Sequence, residues 1–120
     1  MSKLKIPDRS FLRAFELTDE NFSSLVLESH RPFLINFYSD WCPLCPKFTE
    51  TVHNVANMSE FQGWLQLGLM NIQDHPSVGT AIGLRILPSL AIFRSGKLSA
   101  HKSGIMPRRE IVDFINHALR

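Results

Sequence analysis

The chain has 120 residues, of which 44% are hydrophobic and 20% charged, and its formal net charge is +2. This length suits one domain with a substantial core, and a small net charge without runs of basic residues does not indicate a nucleic-acid partner. No apolar stretch approaches the roughly 18–20 residues that span a bilayer, so no membrane-spanning segment is predicted.

The beginning of the chain predicts an arm, a strand and a helix. Residues 1–12 contain basic residues but no apolar core segment, so a secretory signal is not predicted and the cytoplasm is the expected compartment. Apolar and polar residues alternate over 11–17, which is typical of a short strand. Thr18 can cap a helix that ends at Arg31-Pro32. We therefore predict an N-terminal arm over 1–12 and one domain over 13–120.

The two cysteines follow a predicted buried strand, Phe33 to Tyr38, and occupy the motif Trp41-Cys42-Pro43-Leu44-Cys45 at the start of a helix. A helix start presents free backbone N–H groups and the positive end of the helix dipole, which both favour a thiolate. A thiolate with a second thiol one turn away is what thiol–disulfide exchange requires. No other cysteine competes for this pair. In a reducing compartment the motif is typical of redox or metal-binding sites.

The second half of the chain predicts alternating helices and strands. Helical spacing after the cysteines places Phe48, Val52 and Val55 on one face. The elements that follow are a strand at about 64–72, a short helix at 76–83, a strand at 90–93, a Ser95-Gly96 hairpin turn, a strand at 98–103 and a helix whose first residue is Pro107. The order βαβαβαββα predicts an α/β fold, a central mixed sheet with helices on both faces.

Residues spread from about position 13 to the C-terminus form a recognisable pattern. They are Leu17-Thr18, Asn21-Phe22, Phe37, Trp41-Cys42 with Cys45, Asn71-Ile72, Pro76, Gly83-Leu84-Arg85, Pro88, Phe93, Gly96 and Gly104. A Trp-Cys-x-x-Cys element followed by a proline that opens a strand and hairpin is specific, and with this pattern the chain resembles the thioredoxin family. The resemblance implies the thioredoxin fold, a redox-active disulfide and protein thiol–disulfide oxidoreductase activity in electron transport and cell redox homeostasis, without a cofactor.

The resemblance also implies roles for individual residues. Cys42, with an exposed sulfur at the helix start, is expected to attack a substrate disulfide, and Cys45 is expected to resolve the resulting mixed disulfide. Pro88 corresponds to the family's cis-proline, which lies beside the cysteines and helps to hold an extended substrate segment. Trp41 is expected to be partly exposed beside them, and Tyr38 can belong either to the site or to the core.

An apolar substrate groove is a further implication of the resemblance. Its residues correspond to Leu44, Ile86, Leu87, Pro88, Gly104 and Ile105. Ile86 stands where thioredoxins often have glycine, and simple packing in the fold is an equal alternative for it. The expected partners are protein disulfide substrates and a flavoprotein electron donor of the thioredoxin reductase type, and the expected state is a monomer.

The chain departs from the family pattern at the site itself. Asn36 occupies the position of a buried aspartate that is thought to take the proton from the resolving thiol, and Leu69 that of its companion lysine. An asparagine can form hydrogen bonds but cannot act as a base at neutral pH, so we predict slower turnover than in a typical thioredoxin. Pro43-Leu44 replaces Gly-Pro between the cysteines, and together with Pro46 it removes backbone donors near Cys42, leaving those of Leu44 and Cys45. The sequence does not decide in which direction the reduction potential is shifted.

Three alternatives to a reductase are open at this level. The cysteine pair can be half of a zinc site, with His53 on the following helix, although a structural zinc site needs four ligands and no metal is predicted. A more oxidising oxidase or isomerase can use the same motif. A binding or assembly module with little turnover is consistent with the missing buried acid and base.

Overall fold

The computed structural model describes residues 14–120. The arm predicted for 1–12 and the start of the strand predicted over 11–17 lie outside the described residues. The elements are β1 (Ala14–Leu17), a π-helical turn (Ser23–Leu27), β2 (Phe33–Tyr38), α1 (Cys45–Ala56), β3 (Gln66–Asn71), α2 (Ser77–Ala81), β4 (Ser89–Arg94), β5 (Lys97–Ser103) and α3 (Arg108–Ala118).

The strands form one five-stranded mixed sheet in the order β1-β3-β2-β4-β5. β3 runs parallel to both of its neighbours, whereas β4 runs antiparallel to β2 and to β5. β2 is therefore central, and five of its six residues are buried because both of its faces are covered. The predicted α/β fold with a mixed sheet is confirmed. Among the described residues, no helix has the length and apolar character that crossing a membrane requires.

Apolar side chains cover both faces of the sheet. On one face Leu34 packs with Phe48 of α1 and Ile111 of α3, and on the other Phe37 packs with Val26 of the π-helical turn. The predicted buried face of the helix after the cysteines is confirmed, since its three apolar residues are at most 3% exposed. Helices α1 and α3 thus hold the cysteine-bearing segment against a packed interior.

The element after β1 is shorter than the sequence predicts. The Asn21 N–H donates to Thr18 Oγ1 (3.0 Å) and the Thr18 N–H donates to Asn21 Oδ1 (2.8 Å), so Thr18 closes the turn that leads into the element, whose own N-cap is Phe22 without a side-chain hydrogen bond. The next turn is wider, because the Glu28 N–H donates to the Ser23 carbonyl five residues back (3.1 Å). A single π-helical turn results in place of an α-helix that continues to Arg31-Pro32.

The second half of the chain follows the sequence closely. Ser95 and Gly96 both have positive φ (54° and 78°), which is the backbone of a type I′ hairpin turn. The sequence predicts Pro107 as the first residue of the last helix. Pro107 instead has an extended ψ (164°) and lies one residue before α3. Its carbonyl accepts hydrogen bonds from the Glu110 and Ile111 N–H groups (2.9 and 3.1 Å), and it therefore still starts the helix.

Gly68 of β3 lies where the side chain of Leu17 covers the strand. A Cβ at position 68 would stand 3.0 Å from Leu17 Cγ and closer still to Cδ1, and Leu17 is fully buried. We expect Gly68→Ala to lower the free energy of unfolding by about 1–3 kcal/mol, measured by urea denaturation. Gly79→Ala is the control, because its Cβ would meet the Leu84 side chain at 3.3 Å and alanine favours a helix. An equal loss in both variants would contradict this explanation.

Candidate active site

The sheet brings three connecting segments to one edge. Phe37, near the end of β2, pairs with Ser89 at the start of β4, and Ser89 pairs with Ser103 at the end of β5. The segment after β2 carries the cysteines, the segment before β4 carries Pro88, and Gly104 follows β5. The Gly104 N–H donates to the Pro88 carbonyl (2.8 Å), which ties the last two segments together.

Cys42 and Cys45 form a disulfide with a Cα–Cα distance of 5.5 Å. Cys42 is the more accessible of the two, with 7% of the residue exposed against 2% for Cys45. The sequence-based expectation of an exposed sulfur was too strong, because only 7% of the Cys42 residue is exposed.

The backbone at the cysteines also differs from the prediction. α1 begins at Cys45, so Cys42 lies in the turn before the helix and not at its first residue. The Cys45 N–H donates to the Cys42 carbonyl (3.2 Å) and closes this turn. Pro46 has no N–H. The sequence predicts two backbone donors for a Cys42 thiolate, the N–H groups of Leu44 and Cys45. The Cys45 N–H is engaged in this turn, so the Leu44 N–H is the one left to stabilise the thiolate.

Large apolar side chains are exposed in all three segments at this edge. The exposed fractions are 68% for Trp41, 55% for Leu44, 55% for Ile86 and 56% for Ile105. Trp41 is exposed as predicted. Ile86 does not serve core packing alone, since more than half of it contacts solvent. Leu87, which follows Ile86 in the chain, and Gly104, which precedes Ile105, are half-buried.

The segment before β4 is held by a serine. The Leu87–Pro88 peptide bond is cis, as the resemblance implied, and Pro88 is buried. The fully buried Ser89 donates its hydroxyl to the Ile86 carbonyl and lies 2.9 Å from Ser103 Oγ. These bonds hold the exposed Ile86 close to the end of β5. Sequence reasoning did not identify Ser89.

Asn36 lies in the interior behind the cysteines and is fully buried. Its Nδ2 donates to Thr49 Oγ1 of α1 (2.9 Å), while its Oδ1 has no hydrogen-bond partner among residues 14–120. Leu69 is the register neighbour of Asn36 in β3, so no charge pair occupies this position. Thr49 was not identified from the sequence, although its position four residues after Cys45 places both on one helix face.

A second polar pair crosses the same face of the sheet. Leu69 of β3 lies between two register partners, Glu16 on β1 and Asn36 on β2. Tyr38 Oη donates to Glu16 Oε2 (2.9 Å). Tyr38 thus belongs to a hydrogen-bonded pair at the border of the site, a role that the sequence left open.

The titration of Tyr38 should report this environment. Burial, followed by the hydrogen bond and charge of Glu16 and by the charges of Asp40 and Asp74, raises the pKa of Tyr38 to about 12. Because Tyr38 is the only tyrosine in the chain, tyrosinate absorbance should show one transition near that pH. The raised pKa favours the folded state below about pH 10, and this contribution is lost as the pH rises through about 12.

Glu16→Gln is the matched variant for this titration. It removes the negative charge but retains an oxygen that can accept the hydrogen bond, so the midpoint should fall below that of the wild type, while burial, the largest cause, keeps it above about 10. A midpoint that Glu16→Gln does not lower would contradict the effect of the Glu16 charge on Tyr38.

The residues that could hold a metal do not come together. His53 is buried on α1 at 9% exposure, but within residues 14–120 no three His, Cys, Asp or Glu side chains form a group that could hold a metal ion. The cysteine pair is instead engaged in its own disulfide.

Comparison with known proteins agrees with this geometry. The thioredoxin family model matches residues 13–117. The chain is 29% identical over 106 residues to the thioredoxin of Rickettsia felis (strain ATCC VR-1525 / URRWXCal2), an alignment that covers 88% of this chain and 99% of the relative. It is 29% identical over 100 residues to that of Haemophilus influenzae (strain ATCC 51907 / DSM 11121 / KW20 / Rd), covering 83% and 92%. The chain therefore belongs to the thioredoxin family and is a thiol–disulfide oxidoreductase.

Proposed function

We propose that this protein reduces disulfide bonds of other proteins, with Cys42 as the attacking thiol and Cys45 as the resolving thiol. The observation that carries the proposal is the Cys42–Cys45 disulfide at a sheet edge shared with the cis-Pro88 segment and a set of exposed apolar side chains. The greater exposure of Cys42 supports its role as the attacking group, because attack on a substrate sulfur requires access.

The reaction proceeds in two exchanges. The Cys42 thiolate attacks one sulfur of the substrate disulfide, which forms a mixed disulfide and releases the other substrate sulfur as a thiolate. Cys45 then loses its proton and its thiolate attacks Cys42 Sγ, which forms the Cys42–Cys45 bond and releases the second substrate thiolate. Two electrons pass from the protein to the substrate, and the two released thiolates take up the two protons that the cysteines lost.

The substrate is proposed to be an extended protein segment with apolar side chains. Trp41, Leu44, Ile86 and Ile105 are all more than half exposed in the segments that meet at this edge. Leu87, Pro88 and Gly104 lie between them in the chain and complete the proposed groove. Exposed apolar surface of this kind suits a peptide chain better than a small polar ligand.

Each turnover leaves the protein as a disulfide, so a reductant must reopen it. We infer a flavoprotein donor of the thioredoxin reductase type, which is what similarity to proteins named thioredoxin supports. We further propose that the protein acts as a cytoplasmic monomer, with one domain over 13–120 after an arm over 1–12.

Two measurements test the proposal together. The Cys42–Cys45 reduction potential is measured against glutathione, and insulin-disulfide reduction is measured with dithiothreitol as the electron source. A potential near the thioredoxin value of about −270 mV, with turnover, is the expected result. A potential near about −120 mV would instead indicate an oxidase, and normal redox cycling without turnover would indicate a binding module.

A further inference from the structure

The interior of the protein contains a buried oxygen atom without a hydrogen-bond partner among residues 14–120. Asn36 has no exposed surface, and its Oδ1 has no hydrogen-bond partner among residues 14–120, whereas its Nδ2 donates to Thr49 Oγ1 at 2.9 Å. A buried acceptor left unsatisfied costs about 1–3 kcal/mol. This cost would be relieved if the oxygen accepted a hydrogen bond in the other redox state of the protein.

The redox-active pair lies one helical turn from this amide. Cys45 and Thr49 are four residues apart on α1, so their Cβ atoms are about 5–6 Å apart on the same face. Cys45 is only 2% exposed, and Thr49 is bonded to the Asn36 amide. The deeper sulfur of the pair and the unsatisfied oxygen therefore lie on the same buried side of α1.

Whether Cys45 can donate a hydrogen bond depends on the redox state of the cysteine pair. In the disulfide, Cys45 Sγ carries no hydrogen and can donate nothing. Reduction gives it an S–H group, which is a weak donor in a buried environment. Another buried hydroxyl, that of Ser39, lies in the segment after β2 and also has no hydrogen-bond partner among residues 14–120.

We propose that Asn36 Oδ1 accepts a hydrogen bond from the Cys45 thiol in the reduced protein, so that Asn36, held by Thr49, is a positioning residue for the resolving cysteine. This rests on the proposed function, in which Cys45 acts as the resolving thiol. The bond exists only in the reduced state and therefore favours the dithiol over the disulfide. Asn36 cannot take the proton itself, so the proton of Cys45 leaves to water before its thiolate attacks Cys42 Sγ.

Infrared spectroscopy of the S–H stretch tests the bond directly. In the Cys42→Ser protein Cys45 is the only thiol, because the chain has two cysteines. We expect its S–H band to move to higher frequency when Asn36→Leu is added, since the acceptor is then lost. Leu69→Ala is the control, because it changes the register neighbour of Asn36 and leaves the acceptor in place. A band that Asn36→Leu does not move would overturn the proposal.

The redox equilibrium provides a second measurement. We expect Asn36→Leu to shift the equilibrium with glutathione toward the disulfide by about tenfold, which corresponds to about 30 mV for this two-electron couple. No shift, or a shift toward the dithiol, would contradict the inference.

A measurement that leaves Asn36 intact covers the case in which Asn36→Leu does not fold. The Asn36 side-chain 13Cγ resonance is compared between Cys42→Ser and Cys42→Ser/Cys45→Ala, which differ only in the thiol. We expect the resonance to move, and identical positions would overturn the hydrogen bond. The two proposals fail separately: insulin turnover with an unmoved S–H band refutes only the bond, whereas a moved band without turnover refutes only the reductase function.

Discussion

Replacing Cys42 with serine is expected to abolish the protein-dependent part of insulin-disulfide reduction, so that only the reaction of dithiothreitol itself remains; removing a catalytic nucleophile costs enzymes on the order of 10⁴-fold or more. The attacking species in disulfide exchange is a thiolate, and a serine hydroxyl is not ionised at neutral pH. The fold should persist, because the exchanged atom lies in a turn before α1 and not within a strand. Insulin precipitation at fixed dithiothreitol, with the urea midpoint of the reduced protein, measures both effects.

Cys45→Ser is the matched control for this prediction. It removes the deeper sulfur and leaves the more accessible one, which is 7% exposed against 2%. We expect the first exchange to proceed and the reaction to stop at a mixed disulfide, which non-reducing gels and mass spectrometry would detect and whose partners could be identified. Covalent capture by Cys42→Ser and not by Cys45→Ser would reverse the assignment of the two cysteines.

Asn36→Asp is expected to destabilise the protein at neutral pH by about 3–5 kcal/mol, because it buries a carboxylate without a counter-charge. Asn36 is fully buried, its register neighbour is Leu69, and the acidic Glu16 lies on the far side of Leu69 on the same face of the sheet. The Thr49 hydroxyl accepts a hydrogen bond from the Asn36 amide (2.9 Å) and would have to turn and donate to a carboxylate at this position. Urea denaturation of the reduced protein measures the difference.

The pH dependence of this loss has a defined sign. Burial raises the pKa of the introduced carboxyl above its unfolded value of about 3.9. The folded variant therefore binds a proton that the unfolded chain releases, and its stability relative to wild type falls as the pH rises from about 4 through the raised pKa. A loss that is equal at pH 4 and pH 8 would show that packing, and not charge, is responsible.

Asn36→Asp should also accelerate resolution, because a carboxylate can take the Cys45 proton that an amide cannot. A positioned general base is worth about 10²–10⁴-fold, so we expect the mixed disulfide to decay at least about 10²-fold faster in single-turnover experiments. Asn36→Asp/Leu69→Lys restores a charge pair at adjacent register positions and should recover most of the lost stability. If resolution is no faster in either variant, loss of the Cys45 proton does not limit turnover.

These expectations share a physical cause, which is that the interior behind the cysteines is polar but uncharged. Asn36 contributes an amide, Thr49 a hydroxyl and Leu69 an aliphatic side chain. Replacing both members of a buried charge pair together costs little stability, whereas removing one of them leaves an uncompensated charge. The chain thus avoids the desolvation of buried charge and forgoes a buried base.

Most of the fold could be predicted because its signals are local. The apolar run Phe33–Tyr38, the helical spacing after the cysteines and the Ser95-Gly96 turn each specify an element from adjacent residues alone. The prediction was wrong for the segment after Thr18, where the hydrogen bonds widen into a π-helical turn whose N-cap is Phe22. Phe22 and Val26 of this segment pack in the core on one face of the sheet, a contact between distant elements that the local sequence does not specify.

The sequence by itself determined the chemistry of the site, since Cys42, Cys45 and Pro88 were all identified from spacing and resemblance. It also showed that Asn36 and Leu69 are neutral. Only the tertiary structure decided what these residues contact: that α1 begins at Cys45, that Thr49 holds the Asn36 amide, and that Tyr38 donates to Glu16. Those contacts join different strands and helices, and packing across the sheet, which no local pattern encodes, determines which side chains meet.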